Sequence, residues 1–166
     1  MSDAAAELWR FSLAIYAQPG VAPACLVLQD HDGRDVNVAL YCCWLGVSGR
    51  GRLDRDGLAA ADQSVAGWRR DVVENFRAAR RAIKATATPE SDSLYAKAKA
   101  VELEAERLLQ QRLVGLAPAV DPALTTGERL AAALANLALY VGDAPAAPIR
   151  DALTAMAETD FRRGPG

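Results

Sequence analysis

The chain has 166 residues, 51% of them hydrophobic and 24% charged, with a formal net charge of −2. That balance describes a globular protein with a core and excludes a disordered chain. The near-neutral charge gives no global pull toward nucleic acid or an anionic membrane. Cys25, Cys42 and Cys43 are odd in number, and the N-terminus has no basic leader, so a reduced cytoplasmic protein is expected. The longest apolar run, Val38 to Val47, is about ten residues against the roughly 20 that span a bilayer, so no membrane is expected either.

Nearly every segment has helical periodicity. Leu8, Trp9, Phe11, Leu13, Ile15 and Tyr16 define a first helix that ends before Gln18-Pro19-Gly20. A second starts around Pro19 to Pro23, where proline loses no hydrogen bond, and ends near His31 to Gly33, with Gly33 as its left-handed terminator. Asp35 then caps a third helix, Val36 to Val47, in which only Asn37 is strongly polar. A helix apolar all round belongs in a core.

A polar, glycine-rich connection follows at residues 48–57. Beyond it Leu58, Ala61, Val65, Trp68, Val72, Phe76, Ala79 and Ile83 recur at steps of three and four. Thr88 and Pro89 open the next helix, whose stripe is Leu94, Ala98, Val101, Ala105, Leu108 and Arg112, supported by Leu109 and Leu113. A short turn between two long helices predicts an antiparallel hairpin over about 57–116. Thr125 and Glu128 have capping-box spacing ahead of the stripe Leu130, Leu134, Leu137 and Val141, which Gly142 ends. Ala144-Pro145 opens a last helix with Ile149, Leu153 and Met156 inward, and the tail from Arg162 is expected to fray. The expectation is one all-α domain: a motif-bearing lobe at 1–48, a linker at 49–56, the hairpin, and C-terminal helices from 117.

Chemistry concentrates between Gln29 and Asn37. Asp30, Asp32 and Asp35 could offer oxygen ligands to Mg²⁺ or Ca²⁺ with His31 nearby, but the spacing departs from a calcium loop: the glycine comes early and Tyr41 stands where an acid should. The simpler reading is a tight connection in which Asp32-Gly33 turns and Asp35 caps. No metal ligand and no cofactor is assigned. Gln29, Asp30, Asn37 and Tyr41 could line a polar pocket, or could satisfy one another and the backbone where two helices meet. The second, structural option is preferred.

Other candidates are weaker. Cys42 and Cys43 point about 100° apart on a helix and fit the core better than a shared ion or a redox pair. Trp9, Ser12 and Tyr16 lie along one side of the first helix with Arg10 and Phe11 beside them. Ser12 lacks an activating base and is expected to bond back to a carbonyl one turn earlier. Arg70, Arg77, Arg81 and Lys84 share a face that could bind phosphate. No aromatic residues interleave with them, and Glu102, Glu104 and Glu106 on the facing helix can pair with parts of it. A solvated, partly paired face is the expectation, and nucleic acid is disfavoured.

Several of these spaced elements travel together: Leu8-Trp9-Arg10-Phe11-Ser12-Leu13, Tyr16, Pro19-Gly20-Val21, Cys25-Leu26-x-Leu28-Gln29-Asp30, Gly33, Asp35-Val36-Asn37 and Trp44-Leu45-Gly46. Over residues 7–48 they resemble a family of short bacterial proteins described only as a conserved domain of unknown function. The resemblance implies a small cytoplasmic bacterial protein and brings no activity. It places Gln29, Asp30, Asp35 and Asn37 in the family pattern, with His31 and Asp32 between its elements. The candidate binding residues are thus Gln29, Asp30, Asp35, Asn37, Tyr41 and Arg10, and no catalytic residue is assigned. The favoured expectation is a binding or adaptor module for another protein. The alternative is a small-molecule or divalent-metal activity in a polar pocket between helices two and three.

Overall fold

A computed structural model of the chain describes residues 3–86, 88–142, 144 and 146–163, and among these there is helix and no strand. The helices are α1 (Asp3–Tyr16), α2 (Val21–Asp30), α3 (Val36–Val47), α4 (Arg55–Trp68), α5 (Glu74–Thr86), α6 (Pro89–Val114), α7 (Thr126–Val141) and α8 (Ala147–Arg163). A π-helical segment, Arg69–Val73, joins α4 to α5. The expected fold class, all-α, is what the chain adopts. The expected Pro145 start of the last helix and the fraying expected at 164–166 lie outside the described residues, while Arg162 and Arg163, also expected to fray, belong to α8. No single helix among the described residues is long and apolar enough to cross a membrane.

Helix α3 is the hub, because a helix with almost no polar surface must be covered on every side. It packs against α7 most extensively, and also against α1, α2 and α6. Every residue from Asn37 to Gly46 is buried. Its entrance is set by Asp35, whose Oδ1 accepts from the Asn37 backbone N–H at 2.8 Å while the Asp35 N–H donates to the Tyr140 hydroxyl, also at 2.8 Å. Gly33 has φ +61°, and the Arg34 N–H closes back onto the Leu28 carbonyl at 2.9 Å, so the α2–α3 connection is the capped turn expected of it.

Where α3 crosses α7 the backbones touch. A Cβ on Gly46 would stand 2.1 Å from the Ala133 backbone nitrogen and 2.3 Å from its Cα. One turn further along α7, the buried Asn136 fastens the glycine-rich connection to the core. Its Oδ1 accepts from the Leu53 N–H at 2.8 Å, and its amide donates to the Cys42 and Gly51 carbonyls at 3.2 and 3.0 Å. Thr125 and Glu128 form the anticipated capping box. The buried face of α7, however, is Ala132, Ala133, Asn136, Leu137, Tyr140 and Val141, while Leu130 and Leu134 are only partly covered. Contact with α3 demands small residues at the crossing, which moves the face away from the larger leucines.

The long helical stretch from α4 to α5 departs from its expected face, and the π segment is the cause. The Glu74 N–H donates to the Arg69 carbonyl five residues back, so the segment holds one more residue than an α-turn would. Each residue turns a helix by about 100°, so one extra residue shifts every later side chain to a neighbouring face. Before the segment Ala61 and Val65 are buried as expected; from its last residue on, the inward positions are Val73, Arg77 and Arg80, while Phe76 and Ala79 are exposed. On α6, which packs against α5, the expected stripe holds only in its second half: Ala105, Leu109 and Leu113 are buried, Leu94 and Val101 are exposed, and Glu102 and Gln110 are buried beside them.

All three cysteines are free and buried. Burial pushes the Cys25 thiol up to about 11 and Cys42 to about 12, and raises Cys43 as well. Thiols raised this far carry almost no thiolate near neutrality. Native protein at pH 8 should therefore leave a thiol-specific disulfide reagent unconsumed over minutes, and release all three equivalents on denaturation. Fast reaction of any one thiol in the folded state would contradict its burial.

Candidate functional site

Two neighbouring cavities share Gln29, Val36 and Arg77 in their walls. The first, about 380 Å³, lies among α1, α2, α3, α5 and α6. Trp9, Leu13, Tyr16, Leu26, Leu40 and Leu103 give it apolar sides. At the mouth Leu13 and Leu26 are 50% exposed and Leu103 42%. Large apolar side chains this open to water around a concavity form an exposed apolar rim.

The polar part of this cavity is a chain of neutral groups. The Ser12 hydroxyl donates to Gln110 Oε1 at 3.2 Å, and Gln110 Nε2 donates to Asn37 Oδ1 at 2.9 Å. The three residues are 4%, 2% and 5% exposed. The chain ties α1 to α6 and α6 to α3 across sequence separations that no local pattern reveals. It also corrects the expectation for Ser12, whose hydroxyl reaches Gln110 and not a carbonyl of its own helix. Among the described residues the Asn37 Nδ2 donates no hydrogen bond, and it is the group Asn37 has left to offer the cavity.

Beside this chain stands a partly buried ion cluster. Arg77 donates to Glu102 at 3.4 Å and to Glu106 at 2.9 Å, and Arg80 grips Glu102 through both Nε and Nη2. The π segment explains how two arginines come to face inward at all. Burial pushes the Glu106 carboxyl up, with Arg77 opposing it. The hydrogen bonds it donates to Glu102 hold Arg80 more firmly protonated than usual. Of the three glutamates expected to meet the basic face, Glu104 turns away and pairs with Arg107 on its own helix.

The second cavity, about 490 Å³, is the more polar. Asp30 meets Arg81 at 2.9 Å, and that hydrogen bond, with a second from Gln29, keeps the Asp30 carboxyl below the usual range. Arg69 lies between Asp35 at 3.1 Å and Asp62 at 2.8 Å. Arg34 stacks over the Tyr140 ring at 5.5 Å. These charges close on one another and on the α3 cap.

The six sequence candidates therefore do not form one constellation. Asn37 lines the first cavity, Asp30 and Asp35 line the second, and Gln29 lies in the wall between. Tyr41 is buried against Trp44, ring centroids 6.0 Å apart, and lines neither. Arg10 is exposed on α1. The cavity that holds Asn37 is walled by α1, α5 and α6 as well as by α2 and α3, with α6 contributing most, so a pocket made by α2 and α3 alone is not what forms. Ser12, Arg77, Arg80, Glu102, Glu106 and Gln110 are the residues that sequence reading did not assemble. Among the described residues no three His, Cys, Asp or Glu side chains gather as a metal site.

A family model described as a protein of unknown function, DUF2390, matches residues 7–113. The chain belongs to the DUF2390 family. The match begins within α1, runs through all the elements that wall the first cavity, and stops at the last buried residue of α6. In this DUF2390 member α7 and α8 lie beyond the matched residues, although α7 covers α3. No curated protein and no solved structure matches the chain.

Proposed function

We propose that this DUF2390 protein is a small-molecule-binding protein and that its ligand occupies the cavity among α1, α2, α3, α5 and α6. The observation that carries this reading is the pairing of an apolar, half-exposed mouth with a hydrogen-bonded floor of Ser12, Gln110 and Asn37. Ligand sites have this composition: mostly apolar walls, a few converging polar groups, and a volume of about 300–1,000 Å³. The three free cysteines support a reduced, cytoplasmic setting, and the bacterial range is proposed from the family resemblance. The arrangement offers no activated nucleophile, so binding is proposed without turnover.

The adaptor reading keeps one favourable observation, the same exposed rim of Leu13, Tyr16, Leu26 and Leu103, which a partner protein could cover. Titration of isotope-labelled protein with a fragment library, read by amide chemical shifts, separates the two. Hits are expected to move Trp9, Asn37 and Gln110 together, and to weaken at least tenfold in Leu26→Arg, a change at an exposed position that leaves the core alone. Fragments scattering over the surface, or indifferent to Leu26→Arg, would overturn the small-molecule reading. Capture of one protein, lost with Leu26→Arg and unaffected by Arg10→Ala, would favour the rim as a docking surface.

A further inference from the structure

The charge state of the ligand can be read from how the cavity's own charges are disposed, an inference that rests on the small-molecule reading above. Arg77 and Arg80 bring two positive charges to the wall, and both are committed: Arg77 to Glu102 and Glu106, Arg80 to Glu102. Two cations against two anions leave the wall without net charge. A carboxylate or phosphate entering here would add an anion beside Glu102 and Glu106 and would have to strip an arginine from its partner. An ammonium would meet the two guanidinium groups. Either ion would give up water for a counter-charge already taken, and such burial is costly. Lys99, the remaining charged residue of the lining, is exposed and screened by solvent.

The floor, by contrast, is neutral and has capacity to spare. Asn37 is buried, its Oδ1 is occupied by Gln110, and its Nδ2 has no protein partner among the described residues. Gln110 is fixed in turn by Ser12, so the amide chain is positioned before any ligand arrives. Burial already pushes the Glu106 carboxyl up, a sign that the wall resists even the charge it carries.

We infer that the cavity takes an uncharged amphipathic molecule, with a neutral hydrogen-bonding head such as a carboxamide against Asn37 and an apolar or aromatic body between Trp9, Leu13, Leu26 and Leu103. The head answers Asn37 with its carbonyl, and the body replaces water on side chains that stand half exposed without it. Selectivity against ions follows from the closed Arg77–Glu102–Arg80 cluster and needs no repulsive residue.

Three probes with one body test this directly: 3-phenylpropanamide, 3-phenylpropanoate and 3-phenylpropylammonium, titrated at pH 7 into labelled full-length protein. The amide is expected to bind at least tenfold more tightly than either ion, moving the Trp9 indole and the Asn37 and Gln110 side-chain resonances. In Asn37→Ala the preference should fall below threefold while the Trp9 indole still responds. Asn37→Asp keeps the acceptor that Gln110 uses and places an anion at the floor, so it should turn the preference toward the ammonium probe. That second variant keeps the test decisive if Asn37→Ala unfolds. An ion binding as tightly as the amide, or an amide preference that survives both variants, overturns the inference. Equal binding of all three probes at the cavity would leave the small-molecule reading standing without it, and failure of all three to move cavity resonances would end both.

Discussion

Gly46→Ala should be among the most damaging single substitutions in this protein. On helix propensity alone it would help, since alanine is favoured over glycine in a helix interior by about 1 kcal/mol. The contact decides otherwise. A methyl group on Gly46 would lie 2.1 Å from the Ala133 nitrogen, 2.3 Å from its Cα and 2.6 Å from its Cβ, and two of those three atoms are backbone. Neither a rotamer change nor a small side-chain shift relieves that overlap, so α3 and α7 must separate along their whole contact. Overpacking of this kind costs about 3 kcal/mol or slightly more. For a chain of this size a loss of 3 kcal/mol lowers the melting temperature by about 10 °C. Thermal unfolding followed by circular dichroism checks this, with Gly67→Ala as the reference. A Cβ at Gly67 meets nothing within 4 Å, so that exposed change should be neutral or stabilising. Equal melting temperatures for the two variants would mean that α3 and α7 are not in backbone contact.

The second large effect is expected from Glu102→Ala. Glu102 is the shared partner of Arg77 and Arg80, and its removal leaves Arg80 without its carboxylate and Arg77 with Glu106 alone. Breaking a buried pair from one side costs more than the pair is worth, because the remaining charge stays desolvated. The arginine side chains are 16% and 21% exposed and keep some contact with water, which sets the expected loss at about 3 kcal/mol, the lower end for such breaks. Glu102→Gln retains an acceptor and should cost less than half as much. Chemical denaturation of both variants tests the point. If Glu102→Ala unfolds at the same denaturant concentration as the parent, the cluster is a solvated surface and its role in the cavity wall falls with it.

How much of this was legible in the sequence depends on whether a local signal or a distant partner determines the feature. Asp35 as a helix cap, Gly33 as a left-handed terminator, the Thr125–Glu128 box and the burial of α3 all come from short-range chemistry, and each is found in place. Arg77 was read as part of a solvated face because a regular helix would put it there, and Arg80 was not singled out. Glu102 and Gln110 interrupt what would otherwise be an apolar stripe, and their burial becomes intelligible only once their partners on α5, α1 and α3 are known. Asn136 is similar: its value lies in three backbone groups, at Cys42, Gly51 and Leu53, that are remote in sequence. Within the Gln29–Asn37 stretch, only Asn37 is drawn into the cavity floor.

The π segment at Arg69–Val73 has an implication for how this family can vary. A helix with one residue too many is addressed by count: what Arg77 faces depends on how many residues precede it, whatever their identity. Removing one residue from the segment would let α4 and α5 fuse into a regular α-helix with Arg77 and Arg80 still inward, whereas one added residue without a second bulge would swing Phe76 and Ala79 into their places. An insertion of one residue in this stretch would therefore exchange an ion-lined wall for an apolar one, with every cavity-lining side chain still encoded. Insertions here, more than substitutions, are the steps by which such a protein would change what it holds.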